Sequence, residues 1–404
     1  DVFATIPPEI CLQIYVQLRS KRCIWKLAQA SPTVLQQCMA SKAHITRTLL
    51  AANLDESMRQ DAMAIILYPS LDIAEIDLYK TIVSKHVGLW AAQQLPDPFK
   101  EQDHKLITEL DKLYSRLLFF IEDYITKATA IFPPREYLCL PNLPSTRQLI
   151  FKGLIIGNRF DATRLADLEW KRLLTAFLRY ELICKIRHPH KRQYRLERRD
   201  FQPTEREAIR CVHQYLESLY GAMFAQCGES WLPKSPSTRQ LLYPDNFYFC
   251  ADAYASDMGL RSGWRTMAGA LACYGFDLAT TLLRSATAGR CGRDRLARWF
   301  RFCFEREYPD WECYMSYNGL FLDQGANEVE DDNYQLGPGL YRVLYPRISH
   351  TFFKSLQLGI YRQRAWVFFD DDRFYPVSSI QPHFPTSNEL EEESDKITLD
   401  TEWF

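Results

Sequence analysis

The chain has 404 residues, 47% of them hydrophobic and 25% charged, and its 49 basic side chains nearly cancel 50 acidic ones. This composition excludes a disordered or collagen-like chain, and the near-zero net charge excludes a surface that is polycationic throughout. Sixteen glycines against 14% aromatic residues favour long packed helices over a turn-rich sandwich.

Pro7 and Pro8 open the first expected helix, where proline suits the first turn. Ile10, Cys11, Ile14, Tyr15 and Leu18 then share one apolar face, with Glu9, Gln13 and Gln17 turned away. A second short helix fits Ile24 to Ala30. Ser31-Pro32 reads as an N-cap and first-turn proline for a third, lined by Val34, Leu35, Cys38 and Met39. These three helices form a small bundle over residues 1–50.

Longer helices follow in a large domain over 51–385. The spacing predicts one over about Ile73 to Gln94, ended by Leu95-Pro96-Asp97-Pro98. Leu106, Leu110, Leu113, Leu117, Ile121 and Ile125 make the seam of another. The proline-rich stretch from Phe132 to Pro144 is the clearest break, with a sub-boundary near 129–146. A further helix fits Ala162 to Ile186. Thr204-Glu205-Arg206-Glu207 has the form of a capping box ahead of Ile209, Val212, Leu216, Leu219 and Met223. Trp264 to Leu283, Arg293 to Arg306 and Gly339 to Tyr361 are also expected to be helical. Trp366-Val367-Phe368-Phe369 before three aspartates reads as a strand and turn, giving one short β-hairpin near the C-terminus. Residues 386–404 read as a solvated acidic tail, with seven acidic side chains against Lys396. The expected fold is mostly α, an N-terminal bundle followed by a large all-helical domain. The hexapeptide Pro-Ser-Thr-Arg-Gln-Leu occurs at 144–149 and again at 236–241, and reads as a reused helix start rather than a duplication.

Twelve cysteines raise the question of disulfides or metal, but no pair is spaced C-x-x-C. Most occupy apolar positions of helical patterns, as reduced thiols filling a core. No metal and no cofactor is expected. No nucleotide-binding glycine loop, serine-nucleophile motif or zinc-protease motif is present, so no catalytic residue is nominated and a non-enzymatic role is expected. Cys211 and His213, two residues apart on a helix, point to different faces and do not make a nucleophile–base pair. His188-Pro189-His190 reads as a polar loop.

Two charged clusters stand out. Lys185, Arg187, Lys191, Arg192, Arg195, Arg198 and Arg199 run together with only Glu197 opposing, and could track a phosphate backbone. A solvated loop that pairs with an acidic surface is the preferred reading. Asp323, Glu328, Glu330, Asp331 and Asp332 form the acidic counterpart, without the spacing of a calcium loop. No run approaches the ~18 apolar residues of a membrane span, and the first residues lack the pattern of a secretory signal. An intracellular location, cytoplasmic and/or nuclear, and no membrane partner are expected.

The opening stretch resembles an F-box. Ile6-Pro7-Pro8-Glu9-Ile10 is similar to the start of that motif, Ile14 and Leu18 continue its helix face, and Leu27-Ala28-Gln29-Ala30-Ser31 fits its third part. The resemblance covers about 45 residues at the N-terminus. Asp61-Ala62-Met63-Ala64, Phe201-Gln202-Pro203-Thr204-Glu205, Cys211-Val212-His213-Gln214-Tyr215-Leu216 and Trp366-Val367-Phe368-Phe369-Asp370 look like the helical continuation of fungal F-box proteins. Ile6 departs from the commoner leucine, and Arg19-Ser20-Lys21-Arg22 replaces a Pro-Asp-type turn. The resemblance implies a substrate receptor of an SCF-type cullin ubiquitin ligase. It implies docking to the adaptor subunit through Ile6, Pro7, Ile10, Ile14, Leu18 and Leu27, while the rest of the chain recruits a protein target. The competing reading is that Ile10, Ile14 and Leu18 bury against the protein's own next helices. The alternative function is a nucleic-acid-binding helical protein using 185–199, with Lys191, Arg192, Arg195, Arg198 and Arg199 as the candidate polyanion contacts.

Overall fold

The computed structural model describes residues 1–18, 21–69, 76–142, 148–186, 201–232, 248–256, 267–305, 334–348, 353–376 and 384–401. The chain divides into two units, Asp1–Leu118 and Phe119–Phe404. Both are built mainly of helices, and the expected mostly-α class holds.

The first unit begins with α1 (Pro8–Gln17), α2 (Lys21–Ala30), α3 (Pro32–Ala40) and α4 (Lys42–Asn53). Proline at the first turn opens α1 and α3, and Ser31 caps α3 by accepting from the Val34 amide at 3.2 Å. The three expected helices thus gain a fourth, which supplies Ile45 and Leu49 to the bundle core. Asp55 caps α5 (Glu56–Ile66) through the Met58 amide at 3.0 Å. The α5 sequence packs along α6 (Ile76–Ala91), where His86 Nε2 lies 2.9 Å from the Ala64 carbonyl and Trp90 Nε1 donates to Asp61 at 2.7 Å. Gln60 fixes the chain reversal after α6 with both ends of its amide, one to the Leu95 carbonyl (3.0 Å) and one to the Leu95 amide (2.9 Å). The helix itself ends before the proline-rich turn, where Gln93 takes a positive φ (57°) and the Gln94 amide returns to the Leu89 carbonyl at 2.8 Å.

α7 (His104–Ala128) carries the predicted seam into the second unit. There α8 (Pro133–Tyr137) leads into a small antiparallel sheet, β1 (Leu140–Pro141), β2 (Gln148–Phe151) and β3 (Leu154–Asn158), in the order β1-β2-β3. Phe151 pairs with Leu154 across the two-residue loop Lys152-Gly153, and both loop residues have positive φ (49° and 91°), the primed geometry that matches strand twist. The hairpin therefore lies at 148–158. Trp366–Phe369, expected as a strand, is instead a buried run of turns: its amides bond locally, Trp366 to Tyr361 and Phe368 to Ala365. Gln148 and Leu149 of the first hexapeptide lie in β2 rather than at a helix start, and the second copy, 236–241, lies outside the described residues.

α9 (Asp167–Ile186) and α10 (Pro203–Cys227) are the largest buried elements. α10 is buried on nearly every face, packed by α8, α9, α11 (Ala253–Ser256), α12 (Met267–Ala272), α13 (Gly275–Thr287), α14 (Gly289–Glu305) and α16 (Lys354–Gln363). Gly221 permits this: a Cβ there would sit 2.6 Å from the Ala251 backbone. Two expected helices are broken. Trp264–Leu283 is interrupted at Gly275 (φ +74°), where Glu181 of α9 accepts from the Phe276 amide at 2.7 Å and starts α13 afresh. Gly339–Tyr361 is split into α15 (Gly339–Leu344), a 3-10 turn at Tyr345–Arg347 containing Pro346, and α16.

The acidic stretch after Pro385 forms a helix, with Glu389, Glu391, Glu392 and Asp395 exposed. Thr386 and Glu389 form a reciprocal cap, with the Thr386 amide donating to Glu389 (2.7 Å) and the Glu389 amide to Thr386 (3.3 Å). They start α17 (Ser387–Thr401), and Leu390 is fully buried. A Thr-x-x-Glu signal and one apolar anchor outweigh the run of like charge.

Candidate docking bundle and the buried polar core

The bundle of α1–α4 closes its own core with few residues: Cys11, Tyr15, Ile24, Ala28, Val34, Ile45 and Leu49. Its buried phenol is satisfied, since Tyr15 donates to the Val34 carbonyl at 2.9 Å. Burial pushes the Tyr15 hydroxyl up to about 12. The Ser31 hydroxyl, besides capping α3, donates to Asp1 Oδ2 at 2.6 Å and draws the chain start onto the bundle.

The residues nominated for adaptor docking divide between inside and outside. Ile6, Leu18 and Leu27 are half-buried and pack against the core, while Pro7 is exposed and caps α1. Ile10 is 45% exposed and Ile14 half-buried. The single apolar face read from the sequence is therefore two arcs. Cys11, Tyr15 and Leu18, at i, i+4 and i+7, point inward, and Ile10 lies on the outer side. Exposed Trp25 on α2, and Leu35 and Met39 on α3, add large apolar side chains that the bundle core does not use. Leu35 and Met39, four apart, share one face of their helix.

In the second unit the polar side chains are turned on one another. Glu207 takes a two-pronged grip from Arg362, Nε to Oε1 at 2.8 Å and Nη2 to Oε2 at 2.9 Å, and accepts from Trp366 Nε1 at 3.2 Å. All three side chains are buried. Asp123 and Lys127 of α7, both fully buried, pair at 2.7 Å, and Tyr215 donates to Asp123 at 2.8 Å. Glu169 gathers the amides of Ala166 (3.0 Å) and Asp370 (3.2 Å) together with the Arg373 guanidinium. Gln363 clamps the Phe249 backbone at both its amide and carbonyl. The carbonyls of Arg362, Gln363 and Arg364 each accept a tyrosine hydroxyl, from Tyr124, Tyr137 and Tyr375. The end of α16 is thereby satisfied from inside the core rather than by water.

Burial sets the titration of the groups left over. His213, close to the Tyr180 hydroxyl (3.2 Å), is held down to about 3 by desolvation and then by the Arg362 charge. Desolvation pushes Glu217 up to about 8, and Asp252 adds to the rise; Glu136 is pushed up to about 7 by the same cause. Cys211 is buried and its thiol is pushed well up by burial, the opposite of what a nucleophile needs. Among the described residues no group of three His, Cys, Asp or Glu side chains could hold a metal, and no helix is long and apolar enough to cross a membrane. Among the described residues eleven cysteines carry free thiols, five of them buried.

Of the basic segment, Lys185 pairs with Asp277 at 2.9 Å, whereas Arg187, Lys191, Arg192, Arg195, Arg198 and Arg199 lie outside the described residues. So do His188–His190 and the acidic stretch 323–332. Two features escaped sequence reasoning. Glu207 is a core ion rather than a cap: the helix begins at Pro203, and the Gln202 amide donates to Glu205 at 3.0 Å. A row of exposed arginines on α14 was hidden inside a stretch read only as a helix. Comparison with protein-family models, with curated proteins and with solved structures gives no match.

Proposed function

We propose that the protein is a non-catalytic substrate receptor whose N-terminal bundle docks, in the manner of an F-box, onto the adaptor subunit of an SCF-type cullin ubiquitin ligase. The remainder of the chain holds a protein target, and catalysis is left to the ubiquitin-carrying enzyme. Such a receptor acts by raising the effective concentration of its target near that enzyme. The reading places the protein inside the cell, in the cytoplasm and/or nucleus, where ubiquitin ligation operates.

The observation that supports it most is the division of the bundle's apolar residues. Cys11, Tyr15, Ile24, Val34 and their partners complete a core, yet Ile10 and Trp25 (45% and 53% exposed), Leu35 and Met39 are left over. Large apolar side chains in excess of the core suit a surface that gains free energy by packing on a partner helix. The opening Ile6-Pro7-Pro8-Glu9 of the F-box resemblance leads directly into this set.

The test is retention of the protein by immobilised adaptor subunit. Wild type is expected to be retained, and the Ile10→Asp/Trp25→Asp double variant to be lost while its far-UV circular dichroism is unchanged. These two positions are exposed and can change without opening the core, unlike Leu18, which packs against it. Failure of the wild type to bind the adaptor sinks the proposal.

A further inference from the structure

α14 (Gly289–Glu305) is a two-faced helix. Gly292, Leu296, Ala297 and Phe300 are buried, with Phe300 edge-on to Phe224 of α10 at 4.8 Å between ring centroids. Arg290, Asp294, Arg295, Arg298, Arg301 and Phe302 are exposed. At about 100° per residue these six fall within one arc of roughly 140°. From Arg290 to Arg301 the arginines follow the axis for about 16 Å at 1.5 Å per residue. Among the described side chains of the arc Asp294 is the one acid, and its carbonyl, not its carboxylate, is what Arg298 Nε reaches, at 3.4 Å. None of the four arginines is in an ion pair with a described residue.

We propose that this arc is a docking surface for the phosphodiester backbone of a nucleic acid. Four guanidiniums in a row on a rigid helix match a polymer whose charges repeat along its length, and each can hold a phosphate with two parallel N–H bonds. No lysine interrupts the series. An anionic membrane fits less well. A helix that lies in a membrane surface inserts its apolar face, and the apolar face of α14 is already spent on α10. The arc shares no residue with the docking bundle or with the basic segment at 185–199.

Fluorescence anisotropy of a labelled 20-nucleotide single strand and a 20-base-pair duplex, titrated with the full chain at several salt concentrations, tests this. Wild type is expected to bind at least one of them, with log K falling by about 0.7 to 0.9 per log unit of salt for each phosphate held. Arg295→Glu/Arg298→Glu/Arg301→Glu is expected to weaken binding by at least about tenfold and to flatten the salt slope by about two to three. Should the charge reversals disturb the fold, as read by circular dichroism, the triple glutamine variant gives the same reading with smaller amplitude. Absence of salt-dependent binding overturns the proposal. So does binding that survives the triple change and is lost on replacing Arg192, Arg195 and Arg198. Binding of phosphatidylserine vesicles or an acidic peptide, sensitive to the α14 changes while both oligonucleotides are ignored, overturns it as well.

Discussion

The α1–α4 bundle and the Phe119–Phe404 unit solve the same problem with opposite materials. The bundle closes with six apolar or cysteine residues and a single buried phenol, Tyr15, hydrogen-bonded to a nearby backbone carbonyl. The second unit buries Glu207 with Arg362, Asp123 with Lys127, and Glu169 against two amides and Arg373. Partners in the bundle are a few tens of residues apart, whereas Glu207 and Arg362 are separated by 155. A small apolar core can shed side chains to its surface for binding. A core organised by ions cannot, because each member is committed to another. Stability in the second unit should therefore be sensitive to single polar changes, and in the bundle to caps and packing.

The largest expected effect follows from breaking the Glu207–Arg362 pair. Arg362→Met leaves a carboxylate buried with only Trp366 Nε1 and the more distant Arg210, and should cost about 3–5 kcal/mol in urea unfolding. Joint replacement by Glu207→Leu and Arg362→Met removes the orphan charge, and should recover most of that loss. A double variant no better than the single would mean that the pair acts through packing alone, and the contrast between the two regions would lose its basis.

Next in size is a pH response confined to the second unit. Folded His213 sits near 3 against an ordinary value of 6.5, so between those limits the unfolded chain binds the extra proton and stability falls as pH drops. Glu217 has the opposite sign. Its folded value near 8 against 4.5 means the native state holds the proton, and stability is lost as pH rises from about 4.5 through 8. Glu136, near 7, adds to that alkaline limb. Unfolding midpoints measured across pH 3–9 should peak in between. His213→Phe should flatten the acid side and Glu217→Gln the alkaline side, while Ile10 or Trp25 variants leave the curve unchanged.

What the sequence made legible follows the same division. Periodicity and caps located α1, α2 and α3 because their signals are local: Pro7-Pro8, Ser31-Pro32 and apolar spacing are read within one helix. The docking face was only half legible, since spacing puts Ile10 and Ile14 with Cys11 and Tyr15 but does not say where the fourth helix will pack. In the second unit Glu207 looked like a cap because its partner lies 155 residues away. Gly275 gave no warning of a break, because the carboxylate that starts the next helix belongs to α9. The arginines of α14 were in plain view, but their common face emerges only once Leu296 and Phe300 are known to be buried.

In the bundle, Ser31→Ala should cost about 0.5–2 kcal/mol by freeing the Val34 amide and the Asp1 carboxylate. Tyr15→Phe should cost about 1 kcal/mol by leaving the Val34 carbonyl without its donor. Thermal unfolding that reports on the first unit, such as Trp25 fluorescence, measures both. Losses above about 4 kcal/mol would show that this core, too, hangs on its polar contacts.

The smallest expected effect tests the start of α10, where two glutamates two residues apart have unlike roles. Thr204-Glu205-Arg206-Glu207 has the letters of a capping box, but Thr204 lies inside the helix that begins at Pro203, and its hydroxyl caps nothing. Glu205, at the third helical position, closes the capping box by accepting from the amide of the N-cap residue Gln202, and pairs with Arg179 of α9. Thr204→Ala should therefore change stability by less than about 0.5 kcal/mol, since no named contact is lost. Glu205→Ala should cost about 0.5–2 kcal/mol, the worth of a cap. Glu207→Ala should exceed both, because it leaves the Arg362 guanidinium buried without its carboxylate. If the order were reversed, with Thr204 costing a cap's worth and Glu207 little, α10 would start two residues later than Pro203. Glu207 would then be a surface group, and the ionic core of the second unit would lose its Glu207–Arg362 pair.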